Sequence, residues 1–315
     1  MENYFIIDGH CDTVEHIADK GIEVFHQQRC QVSLDGLKAG NVGLQFFAAF
    51  IAPRKKYPCL QRGLRLIDAY YSMIERYSSS FHPILKFSDI DLAIQQKKIG
   101  SLLAIEGGDI LEGELHNLRI LYHLGVRVMT LTWNYRNEIA DGVLEIDSKG
   151  KLSTFGLEVV KEMNRLGMLI DVSHISEEGF YSVLEASKKP IAATHSNAWS
   201  ICPHPRNLKD DQIMCLAKNG GVVGINFYPP FLSTQHADTN AIIKHIEHVA
   251  TIAGIDVLGF GSDFDGIDLT PTDIKGPQDY EKIINALLKL NYKEEDVKKI
   301  AYKNYLRILK KVLIN

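Results

Sequence analysis

Tyr4-Phe5-Ile6-Ile7-Asp8-Gly9-His10-Cys11-Asp12-Thr13 is an apolar, strand-forming run that ends in polar residues. An open doubly wound sheet that binds a dinucleotide would follow its first strand with Gly-x-Gly-x-x-Gly. Here Gly9 is followed by His10 and Cys11, which excludes that reading. Alternate residues of a strand share a face, so Asp8, His10 and Asp12 face the same way, with Asp8 the deeper. Asp8 is expected to orient the others from behind. An imidazole beside a carboxylate suits a borderline divalent cation such as zinc. The same pair also describes a histidine hydrogen-bonded to a neighbouring acid at a strand end, so the rest of the chain has to decide.

Outward from this stretch, short apolar runs alternate with segments of helical period. The expected strands are Tyr4–Gly9, Val42–Phe50, Ser101–Glu106, Val126–Thr132, Met168–Val172, Pro190–Thr194, Gly221–Asn226 and Val257–Ser262. Most are continuously apolar, as strands buried on both faces of a parallel sheet are. Helices are expected over Gln61–Ser78, Leu115–Leu124, Thr154–Leu166, Glu177–Lys188, Asp210–Lys218, Asn240–Ala253 and Gln278–Leu290. About eight strand-helix units without a break in composition predict an α/β fold of the (β/α)₈ TIM-barrel type. Residues 1–315 form one domain on this reading, closed by C-terminal helices over Lys293–Ile300 and Tyr302–Val312. Gly107-Gly108 lacks the Gly-Lys-Ser/Thr ending of a nucleotide loop and reads as a tight turn after a strand.

Composition narrows the function class. Of 315 residues, 45% are hydrophobic and 23% charged, as in a globular chain with a sizeable core. A net charge of −4 offers no general electrostatic footprint for nucleic acid, and Arg54-Lys55-Lys56 reads as a solvated loop. No run of apolar residues is long enough to span a bilayer. No signal peptide or lipid-anchor signal is evident, so a cytoplasmic protein without membrane attachment is expected. The cysteines, Cys11, Cys30, Cys59, Cys202 and Cys215, are far apart and never in Cys-x-x-Cys, which indicates neither a disulfide framework nor a thiolate zinc site.

In a barrel the functional groups come from the C-terminal ends of the strands, which meet at one rim. Read in order, those ends carry His10 and Asp12, Glu106, Trp133 with Asn134, His174, His195, Asn226 with Tyr228, and Asp263. A carboxylate ending an apolar run, as Glu106 does, costs several kcal/mol unless it is paired or metal-bound. A salt bridge, a capping histidine or a turn aspartate would explain each residue singly. Their recurrence at equivalent positions points to one polyvalent site. His245 and His248, at helical spacing with no strand end beside them, are expected at the surface, and His16, His26, His82, His116, His123 and His236 at the periphery.

The combination Asp8-Gly9-His10-Cys11-Asp12, Ile105-Glu106-Gly107, Asp171-Val172-Ser173-His174, Thr194-His195-Ser196, Pro205-Arg206-Asn207-Leu208, Asn226-Phe227-Tyr228 and Ser262-Asp263-Phe264-Asp265-Gly266 resembles the membrane dipeptidase (renal dipeptidase) family of the amidohydrolase superfamily. The resemblance runs in order over nearly the whole chain. It implies a zinc-dependent dipeptidase with two zinc ions per chain, other divalent metals being possible: His10 and Asp12 on one ion, His174 and His195 on the other, and Glu106 bridging both. Such ions, about 3.5–4 Å apart, share a bridging hydroxide that attacks the peptide carbonyl of a small dipeptide. The resemblance further implies that Asp263 shuttles a proton to the leaving amine and that Arg206 and Tyr228 hold the substrate's carboxylate. A homodimer is also an expectation from the family.

One position departs from the family. Where its animal members continue Thr-Leu-Thr with a histidine that helps stabilise the tetrahedral intermediate, Thr130-Leu131-Thr132 continues with Trp133. Asn134 or Asn137 is then the expected donor, unless the second zinc suffices. The alternatives are a related amidohydrolase acting on N-acyl amino acids or lactones, and a non-catalytic barrel binding module. A full ligand set has no use in the latter.

Overall fold

The computed structural model describes residues 5–26, 29–52 and 58–314. Nine strands occur among them: β1 (Ile6–Cys11), β2 (Val42–Phe50), β3 (Phe81–Pro83), β4 (Ile99–Glu106), β5 (Val126–Thr130), β6 (Leu169–Asp171), β7 (Ala192–Ala193), β8 (Val222–Ile225) and β9 (Leu258–Phe260). Each pairs in parallel with its neighbours in the order β2-β1-β9-β8-β7-β6-β5-β4, and β2 pairs back onto β4. That last pairing, from Leu44 opposite Gly100 to Phe50 opposite Glu106, closes the sheet into an eight-stranded barrel. The eight expected strands are its eight staves. β3 is the unexpected ninth, a three-residue strand paired with Ile99–Ser101 of β4 below the point where β5 takes over that edge.

Boundaries differ where hydrogen bonding, not hydrophobicity, decides. β1 runs through His10 and Cys11, so the two ends of the opening motif straddle the end of the strand. Tyr4, and the Arg54-Lys55-Lys56 run, lie outside the described residues. β7 pairs over only Ala192–Ala193, and β5 stops at Thr130 because the chain turns into the long segment before Ser153. The helices Thr154–Leu166 and Asp210–Lys218 have the expected bounds. Thr13–Lys20, Leu34–Ala39 and Ser88–Gln95 are additional helices of six to eight residues, too short for periodicity to reveal.

Two apolar layers hold the barrel. The outer one lies between staves and helices and includes Phe47, Ile105, Met129, Ile170, Phe180 and Ile283. The inner one fills the barrel with residues of opposite parity, Ile7, Phe46, Ala48, Leu102, Ala104, Val128 and Leu169. Tyr305, Ile308 and Leu309, from the helix Asn304–Val312, belong to this inner layer. The C-terminal segment therefore plugs the barrel floor. Tyr305 enters because β1, β8 and β9 carry Gly9, Gly224 and Gly259: a Cβ would stand 2.0 Å from its hydroxyl at Gly9 and 2.6 Å at Gly224. The two expected C-terminal helices are continuous, joined by a π-helical turn over Lys299–Lys303.

Candidate metal centre

With the floor plugged, the strand ends open upward, and the register sets which side chains meet there. Glu106 of β4 lies opposite Thr130 of β5, and Thr130 opposite Asp171 of β6. Asp171 is fully buried and accepts four hydrogen bonds: from Thr130 Oγ1 (2.6 Å), Thr194 Oγ1 (2.6 Å), Thr194 N–H (2.9 Å) and Ser173 N–H (2.9 Å). A carboxylate so occupied ties three strand ends together and has little left for a cation. Asp8 does the same across β1 and β9, accepting from Ser262 N–H (2.9 Å), Ser262 Oγ–H (2.6 Å) and His10 N–H (3.3 Å). It thus orients the backbone at His10, not the imidazole as its place in the strand suggested.

Above these anchors stand His10, Asp12, Glu106, His174, His195 and Asp263, all but Asp263 buried. Glu106 is central. Its Oε1 is 2.8 Å from His174 Nε2 and 3.5 Å from His195 Nε2, and its Oε2 is 3.4 Å from His10 Nε2. His10 Nε2 also lies 3.3 Å from Asp12 Oδ2 and 3.9 Å from Asp263 Oδ1. The liganding atoms fall into clusters within 4.8 Å, Glu106 with His174 and His195, and His10 with Asp12 and Asp263; a third grouping, His10 with Asp171 and His195, contains the saturated Asp171.

Three observations fit these residues to bound cations. His174 Nε2 and His195 Nε2 face each other at 2.9 Å. Each has its other ring nitrogen committed: His195 Nδ1 is 2.9 Å from Thr194 Oγ1, whose proton goes to Asp171, so Nδ1 must donate and Nε2 keeps its lone pair. His174 Nδ1 lies 2.7 Å from Asn134 Oδ1, an acceptor, with the same consequence. Finally, His10 Nε2 and Asp12 Oδ1 are buried without a hydrogen-bond partner among the described residues. Buried polar atoms are seldom left so unless something else binds them.

Charge follows from packing. Burial pushes the carboxyls of Asp12 and Asp8 upward, and it raises Asp263 to about 6 despite the nearby His10. Burial would also raise Glu106, but the charge of His10 beside it holds it well below the usual carboxylate range. Burial brings His174 down to about 4, and Arg206 and His10 act in the same direction. So many acids in a dry site call for positive charge. His174 and Asp263 also sit at φ of 68° and 65°, left-handed backbone that costs of order 1–3 kcal/mol per residue and occurs at sites where the side chain must be aimed.

A cavity of about 330 Å³ lies over the cluster, lined by Asp12, Glu106, Trp133, Tyr228, Phe231 and Asp263 among others. A second, of about 360 Å³, adjoins it at His174 and Arg206 and extends past Ser196 toward Trp199. Arg206 is buried where the two meet. Its Nη2 donates to the His195 carbonyl (3.0 Å), while Nε has no partner among the described residues. Tyr228 caps the first cavity, its hydroxyl facing Asp268. Asn226 was legible only as a polar strand end. Its Nδ2 donates to Asp263 Oδ2 (2.8 Å) and its Oδ1 accepts from Tyr228 N–H (2.6 Å), so one side chain aims two site residues.

Several expectations change. Asn137 is no substrate donor: its Nδ2 donates to Asp109 and the Leu131 carbonyl, and its Oδ1 accepts from Ile139 and Ala140. Trp133 forms a wall between Phe50 (5.3 Å between ring centres) and Tyr135 (5.5 Å). His245 is buried, not exposed, bridging the Ala198 N–H (3.1 Å) and the Leu232 carbonyl (3.0 Å); helical spacing could not reveal that segments outside its helix cover it. The five cysteines are free and none joins a cluster of metal-ligating side chains among the described residues. No helix among them is long and apolar enough to cross a membrane.

Comparison with known proteins shows the family and the fold. Residues 1–314 match the family described as Membrane dipeptidase (Peptidase family M19). Among solved structures, the metallo peptidase named dipeptidase AC superposes over 99% of both chains with a TM-score of 0.90 at 23% identity. A metallo peptidase from Rhodobacter sphaeroides, liganded with a phosphinate mimic of the dipeptide L-Ala-D-Ala, covers 99% of this chain and 100% of its own at TM-score 0.89 and 22% identity. A probable dipeptidase from Pseudomonas aeruginosa covers 99% and 96% at TM-score 0.92 and 19% identity. At such identities these likenesses bear on the fold, a closed barrel in each case.

Proposed function

Because the chain belongs to the membrane dipeptidase family, peptidase family M19, and is thereby a metallo-dipeptidase, we propose that it cleaves the peptide bond of small dipeptides at a centre of two zinc ions. His10 and Asp12 would hold one ion, His174 and His195 the other, and Glu106 both. The observation that carries this reading is the division of Glu106, with Oε1 toward His174 and His195 and Oε2 toward His10. An anionic bridge of that kind offsets the repulsion between two cations. When bound, such ions supply an activated water and polarise the scissile carbonyl.

The chain's own groups do the rest. Arg206, buried with Nε unpartnered, offers a guanidinium edge to the free carboxylate of the substrate, and Tyr228 closes the same cavity. Asp263, held by Asn226 at the edge of the cluster, takes the proton released as water attacks and delivers it to the leaving amine nitrogen. Phe50, Trp133 and Phe231 line the cavity and exclude bulk water, which strengthens each of these interactions. The dipeptide mimic on the Rhodobacter sphaeroides relative supports a substrate of this size and makes L-Ala-D-Ala a natural test compound beside L-Ala-L-Ala.

Chelator-treated protein should lose dipeptide hydrolysis and recover it with about two equivalents of zinc per chain. Hydrolysis indifferent to chelation sinks the metal mechanism. Faster turnover of N-acyl amino acids or lactones than of any dipeptide sinks the substrate assignment.

A further inference from the structure

We propose that Asn134 is a positioning residue for the second cation, fixing His174 with its Nε2 lone pair aimed into the centre; this rests on the two-zinc reading above. His174 lies three residues beyond the end of β6, on left-handed backbone, where an isolated antiparallel bridge between Ile175 and Gly142 takes the place of the barrel ladder. What holds it comes from the segment after β5. The Asn134 carboxamide oxygen is 2.7 Å from His174 Nδ1, the Val143 N–H donates to the His174 carbonyl (2.7 Å), and the Leu144 N–H donates to the Asn134 carbonyl (2.9 Å).

The chemistry of the pair sets the tautomer. A carboxamide oxygen has lone pairs only, so His174 Nδ1 carries the proton and Nε2 is left to face Glu106 Oε1 at 2.8 Å. His195 reaches the same state by another route, through Thr194 and Asp171. The two ligand histidines of one cation are therefore braced from different, neighbouring staves, one by a threonine-aspartate relay and one by a single carboxamide. Asn137 in turn pins the base of the segment bearing Asn134, through Asp109 and the Leu131 carbonyl. The segment that carries Trp133 in place of a histidine thus still acts on the centre, from behind a ligand.

The test is equilibrium zinc binding by competition with a chromophoric chelator, without substrate. Wild-type protein should take up two zinc ions. Asn134→Leu, similar in size but without an acceptor, should weaken one of the two binding steps by about 10- to 100-fold and leave the other unchanged. Asn134→Asp, which keeps an acceptor on Nδ1, should bind both ions as tightly as wild type or more so. Asn134→Ala reads the same loss if the leucine variant does not fold. Unchanged affinity in the leucine and alanine variants overturns the proposal and leaves the two-zinc reading standing. Equal weakening in the aspartate variant overturns it too, since lost packing then explains the effect. A wild-type protein that binds fewer than two ions overturns the underlying reading itself.

Discussion

Glu106 stands 2.8 Å from His174 through Oε1 and turns Oε2 toward His10, 3.4 Å away, so one carboxylate reaches residues of both candidate metal clusters. Glu106→Gln keeps the shape and removes the charge. Zinc content is expected to fall from two ions to at most one, and kcat/KM by about 10³-fold, equivalent to several kcal/mol of lost stabilisation. Metal analysis of the purified variant beside its kinetics checks this. Two ions retained at wild-type affinity would refute the bridge.

Asp263 is aimed by Asn226 and lies 3.9 Å from His10 Nε2, close to the centre without being enclosed by it. Asp263→Asn is expected to lower kcat by about 10²- to 10⁴-fold, the usual range for a positioned proton carrier, with KM within a few-fold of wild type. Steady-state kinetics on one dipeptide suffices. A variant with wild-type kcat removes Asp263 from the proton path.

For Arg206 the distinguishing comparison is between substrates. A hydrogen bond to a charged group contributes about 1.5–3 kcal/mol, so Arg206→Met should cost roughly 10- to 100-fold in kcat/KM on dipeptides with a free carboxylate. C-terminally amidated dipeptides, already poor substrates, should lose little more. Equal losses on both would assign Arg206 to holding the His195 carbonyl, which it also contacts.

His245 makes a prediction about stability. Burial lowers it to about 4, so it is neutral in the fold at pH 7 and takes up a proton more readily in the unfolded chain. The unfolded state therefore binds more protons below about pH 6.5, and stability falls as pH drops from there toward 4, by roughly 3 kcal/mol over the window for this group. His245→Gln cannot titrate. Its denaturation free energy, lower than wild type at pH 7, should converge on the wild-type value by pH 4.5; parallel curves would show that His245 does not contribute the slope.

What the sequence by itself determined is the period of the fold and the inventory of the centre. Continuous apolar runs ending in polar residues specify buried parallel strands with chemistry at one end, and that is enough to bring His10, Asp12, Glu106, His174, His195 and Asp263 to one rim. Only the tertiary structure decided what each neighbour of that inventory does. Asp8, expected to orient His10 and Asp12 from behind, and Asp171, one residue of a strand-end motif in the chain, are taken up by hydroxyls and backbone amides at the ends of neighbouring strands. Asn134 and Asn137, three residues apart, part ways because one faces His174 and the other its own loop. His245, expected at the surface, is buried against the Ala198 N–H and the Leu232 carbonyl, which belong to segments outside its own helix. The physical reason is common to all of them. Hydrophobic period is local and repeats, whereas a polar group's role depends on which donor or acceptor stands within about 3 Å, and those partners are brought there by barrel closure.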